Sequence, residues 1–70
     1  MADLQQRLDE LRRMVNDLMT RSEQGQDVTA QVTAAERTAR VLLSDAKNTA
    51  QEAEAQALFD MIYRHWTRLP

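Results

Sequence analysis

Ser22-Glu23-Gln24-Gly25-Gln26-Asp27 contains the only glycine of this 70-residue chain, and the fold hangs on what that glycine does. Glycine enters the left-handed backbone region without steric penalty and so closes helices, while Asp27 or Thr29 can offer a side-chain oxygen to cap the next one. A connection this short joins antiparallel neighbours, so the segment predicts an αα-hairpin, residues 24–28 forming its turn. The rest of the chain agrees with an all-α class. The one proline is Pro70, β-branched residues are sparse, and Ala, Leu, Gln, Glu and Arg abound. That is helix-former composition throughout.

On the amino-terminal side of the turn, Asp3 with Gln6 three residues later is a helix-start signal. Leu4, Leu8, Leu11, Val15 and Leu18 then recur at alternating steps of four and three, flanked by Met14 and Met19. This heptad seam predicts a first helix over about 3–23 that packs on its own chain.

On the carboxyl side, Val28, Val32, Ala35, Ala39, Leu42, Ala46, Ala50, Ala53 and Ala57 continue at three- and four-residue steps. Two readings compete beyond Leu42. Thr49 with Glu52 has the form of a capping box, and Asn48 just before it can end a helix, which would break the chain near 44–49. The absence of Gly or Pro there favours instead one helix from about 27 or 28 to 68, longer than the first, within a single hairpin domain spanning 1–70.

All three aromatic residues, Phe59, Tyr63 and Trp66, lie in the last dozen positions. At roughly 100° per residue, Leu58, Ile62, Trp66 and Leu69 form one stripe, widened on one side by Phe59 and Tyr63. Burying each such side chain stabilises by about 1.5–3 kcal/mol, so the stripe needs cover. At about 1.5 Å per residue the first helix spans about 30 Å and an unbroken second about 60 Å, leaving the aromatic end uncovered. The expectation is that Leu58, Phe59, Ile62, Tyr63, Trp66 and Leu69 dock on another protein, in the helix-in-groove manner.

Composition narrows the alternatives. The formal charge is −2 and the pI about 5.2, which argues against a protein devoted to neutralising phosphates. No cysteine is present to make a disulfide, and a lone histidine leaves little for a metal cage, so no cofactor or metal is expected. His65 reads as a complement to the helix dipole rather than a base, and Glu52, Glu54 and Asp60 lie on different helical faces. No phosphate loop, CxxC pair or HExxH spacing occurs, and a short helical chain builds few pockets, so an enzyme is not expected. Arg12, Arg13, Arg21, Arg37 and Arg40 could give a basic face for RNA, but Asp9, Glu10, Asp17, Glu23 and Glu36 are interleaved with them, as on a mixed salt-bridged surface. Few lysines back the aromatic stripe, which argues against a membrane surface. Without an apolar run near 18 residues or a signal-peptide pattern, the chain reads as soluble and cytoplasmic.

A leucine-patterned first helix (Leu4-Gln5-Gln6-Arg7-Leu8), a short turn and an alanine-rich second helix ending in Met61-Ile62-Tyr63-Arg64-His65-Trp66 resemble the small E-type co-chaperones of type III secretion needle subunits. Members of that family carry a Tyr-Gln pair early in the helix after the turn, where residues 28–32 here include no tyrosine. The resemblance implies a cytoplasmic co-chaperone that stabilises a second, helical-repeat-like chaperone and with it keeps the needle subunit unpolymerised before export. Such a hairpin, underfilled alone, would be more stable in a heterocomplex. The rival readings are a self-associating hairpin with a structural or RNA-binding role, and a small non-catalytic subunit of a larger enzyme.

Overall fold

Asp3 opens the first helix, its Oδ1 accepting the Gln6 amide hydrogen at 2.8 Å. Helix α1 runs over Leu4–Glu23, α2 over Thr29–Ala46 and α3 over Glu52–Trp66 in a computed structural model that describes residues 3–66. The class is all-α, and the described residues include no strand. Helix α1 ends as its sequence predicts. Gly25 sits at φ 78°, the Gly25 amide donates to the Ser22 carbonyl at 3.0 Å and the Gln26 amide to the Arg21 carbonyl at 3.0 Å, which together make a Schellman closure. Two residues on, Asp27 Oδ1 accepts from the Thr29 amide at 3.0 Å and the Thr29 hydroxyl at 2.7 Å, starting α2.

The second connection corrects the expected unbroken helix over 28–68. Lys47 has φ −57° and ψ 130°, Asn48 has φ 66°, and the Thr49 amide donates to the Ala46 carbonyl at 2.9 Å. This is the pattern of a type II turn, which needs a positive φ at its third residue and takes Asn there when Gly is absent. Thr49 then secures both sides of the break. Its hydroxyl donates to the Ala46 carbonyl at 2.6 Å and accepts from the Gln51 amide at 3.2 Å. The break near 44–49, the weaker of the two sequence readings, is thus where the chain reverses. With a longest dimension of 36 Å, the molecule has no room for a 60 Å rod.

Reversal at residues 47–51 returns α3 to the other two helices. Leu8, Leu11, Val15 and Leu18 of α1 meet Val32, Ala35, Ala39, Leu42 and Ala46 of α2, and Ala55, Leu58 and Ile62 of α3 complete the same cluster. Three of the five α2 residues are alanine, so the large side chains of α1 and α3 supply most of the core volume. The α2 seam holds as far as Ala46; beyond it Ala50, Ala53 and Ala57 are exposed, because the turn restarts the helical phase and moves the buried face to Ala55, Leu58 and Ile62. Ion pairs also bridge the helices. Arg7 Nη2 lies 2.7 Å from Asp45 Oδ2, tying α1 to the end of α2, and Arg12 pairs with Glu54, tying α1 to α3. Both are partly solvated and worth about 0–1 kcal/mol each, so they fix register more than they stabilise.

Candidate interaction surface

The inward face of α3 is centred on Ala55, Leu58 and Ile62, and helical geometry turns Trp66, Phe59 and Tyr63 progressively outward along one flank. That flank lies beside α2. The Phe59 ring is half-buried, with the Arg40 guanidinium carbon 5.9 Å from its centroid and the Tyr63 ring centroid also 5.9 Å away. Arg40 is itself held by Glu36, whose Oε1 accepts from Nε at 2.9 Å. A solvated cation–π contact contributes about 0.5–1 kcal/mol, enough to orient the arginine across the helix seam.

Toward the α2 amino terminus the same edge opens into a surface hollow of about 420 Å³, lined by Val28, Val32, Thr33, Glu36 and Trp66 among others. Trp66 and Val28 are half-buried there, and the His65 ring lies 5.5 Å from the indole. The hollow carries two carboxylates, Asp27 and Glu36. The Thr29 hydroxyl, then the Thr29 amide, donate to Asp27 and hold its carboxyl below the ordinary 3.8.

The residues expected to dock a partner therefore divide. Phe59, Tyr63 and Trp66 reach the surface, Tyr63 being 39 % exposed. Leu58 and Ile62, at 7 % and 0 %, are core residues and a correction to that expectation: once the chain turns at Asn48, α1 and α2 cover them, and no uncovered half remains. Leu69 lies outside the described residues. Sequence reasoning missed Val28 and Arg40 as part of this surface, with the core residue Val32 forming the floor of the hollow. The two valines were legible only as the top of the α2 seam, and Arg40 only as one of five scattered arginines.

Elsewhere several surface arginines are paired. Arg12, Arg21 and Arg40, three of the five arginines considered for an RNA face, are engaged by Glu54, Asp17 and Glu36. On α3, Asp60 accepts from the Gln56 amide group at 2.8 Å, and Met61 is 37 % exposed beside His65 in a second hollow of about 360 Å³. Among the described residues no group of three or more His, Cys, Asp or Glu side chains could hold a metal ion, and no helix is long and apolar enough to cross a membrane. Set against protein-family models, curated proteins and solved structures, the chain matches none of them.

Proposed function

We propose that this chain is a non-catalytic, cytoplasmic protein-binding module, with the α2–α3 edge formed by Phe59, Tyr63 and Trp66 as its docking surface. The observation that carries the proposal is the placement of the aromatic residues. All three lie along one flank that continues into the hollow beside Val28, with the Arg40–Glu36 pair bordering it. Tyrosine and tryptophan beside aliphatic neighbours are the side chains that most often dominate protein interfaces, because they bury much area for little conformational entropy. The resemblance of the first ten and last dozen residues to needle-subunit co-chaperones supplies the partner class: a helical-repeat chaperone that shares this module and a needle subunit. The role is occlusion, in which surfaces otherwise free to polymerise are buried in an assembly.

Calorimetric titration of the purified chain with a helical-repeat needle chaperone tests the proposal. Trp66→Ala is expected to weaken binding by about 30-fold, corresponding to roughly 2 kcal/mol for a hot spot. Val41→Ala, at a 51 % exposed position of α2, should leave it unchanged. No heat of binding for the unaltered chain, or equal affinity for the Trp66→Ala variant, would overturn it.

A further inference from the structure

Helices α2 and α3 run antiparallel along the aromatic flank, and the flank comes close to repeating itself. At Phe59 the ring faces Arg40, whose guanidinium carbon stands 5.9 Å from the centroid while Glu36 Oε1 accepts from its Nε at 2.9 Å. Seven residues further along α3, about two turns or 10 Å, comes Trp66, and seven residues back along α2 from Arg40 comes Thr33. Trp66 and Thr33 line the same hollow, so the register of the two helices holds. Carboxylates stand beside this ring too. Asp27 and Glu36 both line the hollow, and among the described residues Asp27 forms no ion pair. What differs is the α2 side chain, a threonine where the Phe59 level has an arginine. The Thr33 hydroxyl turns back to donate to the Thr29 carbonyl at 3.0 Å, and the space an arginine would fill stays open beside the indole, within the hollow of about 420 Å³.

We propose that this hollow receives an arginine side chain of the protein that docks on the flank, its guanidinium against Trp66 with Asp27 and Glu36 at its edge. The assignment rests on the flank being a docking surface, and it names the side chain that surface selects. Three features of the hollow match three parts of an arginine. Its planar, weakly hydrated head stacks on an aromatic face and donates in a fork to carboxylates, whereas the compact ammonium of lysine holds its water more tightly. Its methylene stem finds the apolar floor of Val28 and Val32. Its charge answers Asp27, while an acidic guest would be repelled and an aliphatic one would leave both carboxylates facing apolar surface. Arg40 shows that this flank already holds an arginine in that manner one heptad away.

Nuclear magnetic resonance titration of the full chain with N-acetyl-arginine amide, and with its uncharged citrulline counterpart of the same shape, tests this without the partner. The Trp66 indole and the Val28 and Val32 methyl resonances should shift saturably, with the arginine amide bound about three- to fivefold more tightly, the factor that a solvated cation–π contact supplies. Thr33→Arg, at an exposed helical position, provides the arginine from within and should abolish that preference, whereas Thr33→Ser should keep it. In calorimetry with a helical-repeat needle chaperone, Thr33→Arg should weaken binding by about the same factor. Equal affinity for the two amides, or a preference that survives Thr33→Arg, would overturn the arginine site. So would a preference that rises on Arg68→Gln, since the chain's own arginine would then hold the hollow. Chaperone affinity unchanged by Thr33→Arg would overturn the arginine and spare the docking surface, whereas a chaperone that fails to bind the unaltered chain would overturn the docking surface itself.

Discussion

Gly25 at φ 78° and Asn48 at φ 66° occupy nearly the same backbone conformation, each just beyond the end of a helix, yet they close their helices by different means. At Gly25 the chain completes the two hydrogen bonds of a Schellman closure and the residue itself is free of strain. At Asn48 a type II turn leaves through Thr49, whose hydroxyl bonds to both sides of the break. The first turn builds a hairpin; the second converts it into a three-helix bundle. The difference teaches that the architecture rests on its less secure turn, because only that turn brings Leu58 and Ile62 under cover.

The largest effect should come from the residue whose burial depends on the second turn. Ile62 is fully buried, so Ile62→Ala should destabilise by about 2–5 kcal/mol in chemical denaturation. Were α3 instead to extend past α1 as an uncovered arm, the same substitution would cost a few tenths. Tyr63→Ala, one position away on the edge, gives the internal comparison and should cost far less than Ile62→Ala.

How much of this was written in the sequence follows from the same contrast. The Leu8, Leu11, Val15 and Leu18 seam, the Asp3 cap and the Gly25 turn were all legible, because a four-and-three apolar pattern and a lone glycine each have essentially one structural meaning. Asn48 and Thr49 were visible as a possible break but lost to the absence of Gly or Pro, although Ser44, Asp45, Asn48 and Thr49 all favour caps and turns over helix interiors. What decides it is tertiary: reversal there buries Leu58 and Ile62 together with α1, a gain that no local window contains. Leu58 and Ile62 lie on one apolar face of α3 as read, and their cover comes from α1 and α2 rather than from a partner. Of the six candidate site residues, the aromatic ones stayed at the surface because helical phase turns them off the inward face, whereas the aliphatic Leu58 and Ile62 went to the core.

Substitution by alanine at the two left-handed residues sharpens the comparison. A Cβ added at Gly25 meets no atom within 4 Å, so Gly25→Ala isolates the backbone penalty and should cost about 1–2 kcal/mol by thermal denaturation. Asn48 already carries a Cβ, so Asn48→Ala should cost less, about 0.5–1 kcal/mol, representing the local hydrogen bonding that makes Asn tolerant of this region. A reversal of that order would mean that Asn48 is held by more than its own turn.

The smallest effect separates the turns by charge. Asp27 starts α2 with an ionised side chain, whereas Thr49 precedes α3 with a neutral one. Because the Thr29 hydroxyl and amide donate to the Asp27 carboxylate, its folded pKa lies below the ordinary 3.8. A lowered folded pKa means that the unfolded chain binds the proton more readily, so the contribution of the Asp27–Thr29 bonds is complete above about 3.8 and is lost as pH falls through the folded value. The stability difference between the unaltered chain and Asp27→Asn should therefore hold steady from neutral pH to mildly acidic pH and then shrink. The difference for Thr49→Val should not change over that window, since no proton is exchanged at that hydroxyl. Denaturation midpoints taken from pH 7 to pH 3 read both, and a flat difference for Asp27→Asn would show that its charge does not strengthen the bonds from Thr29 at the start of α2.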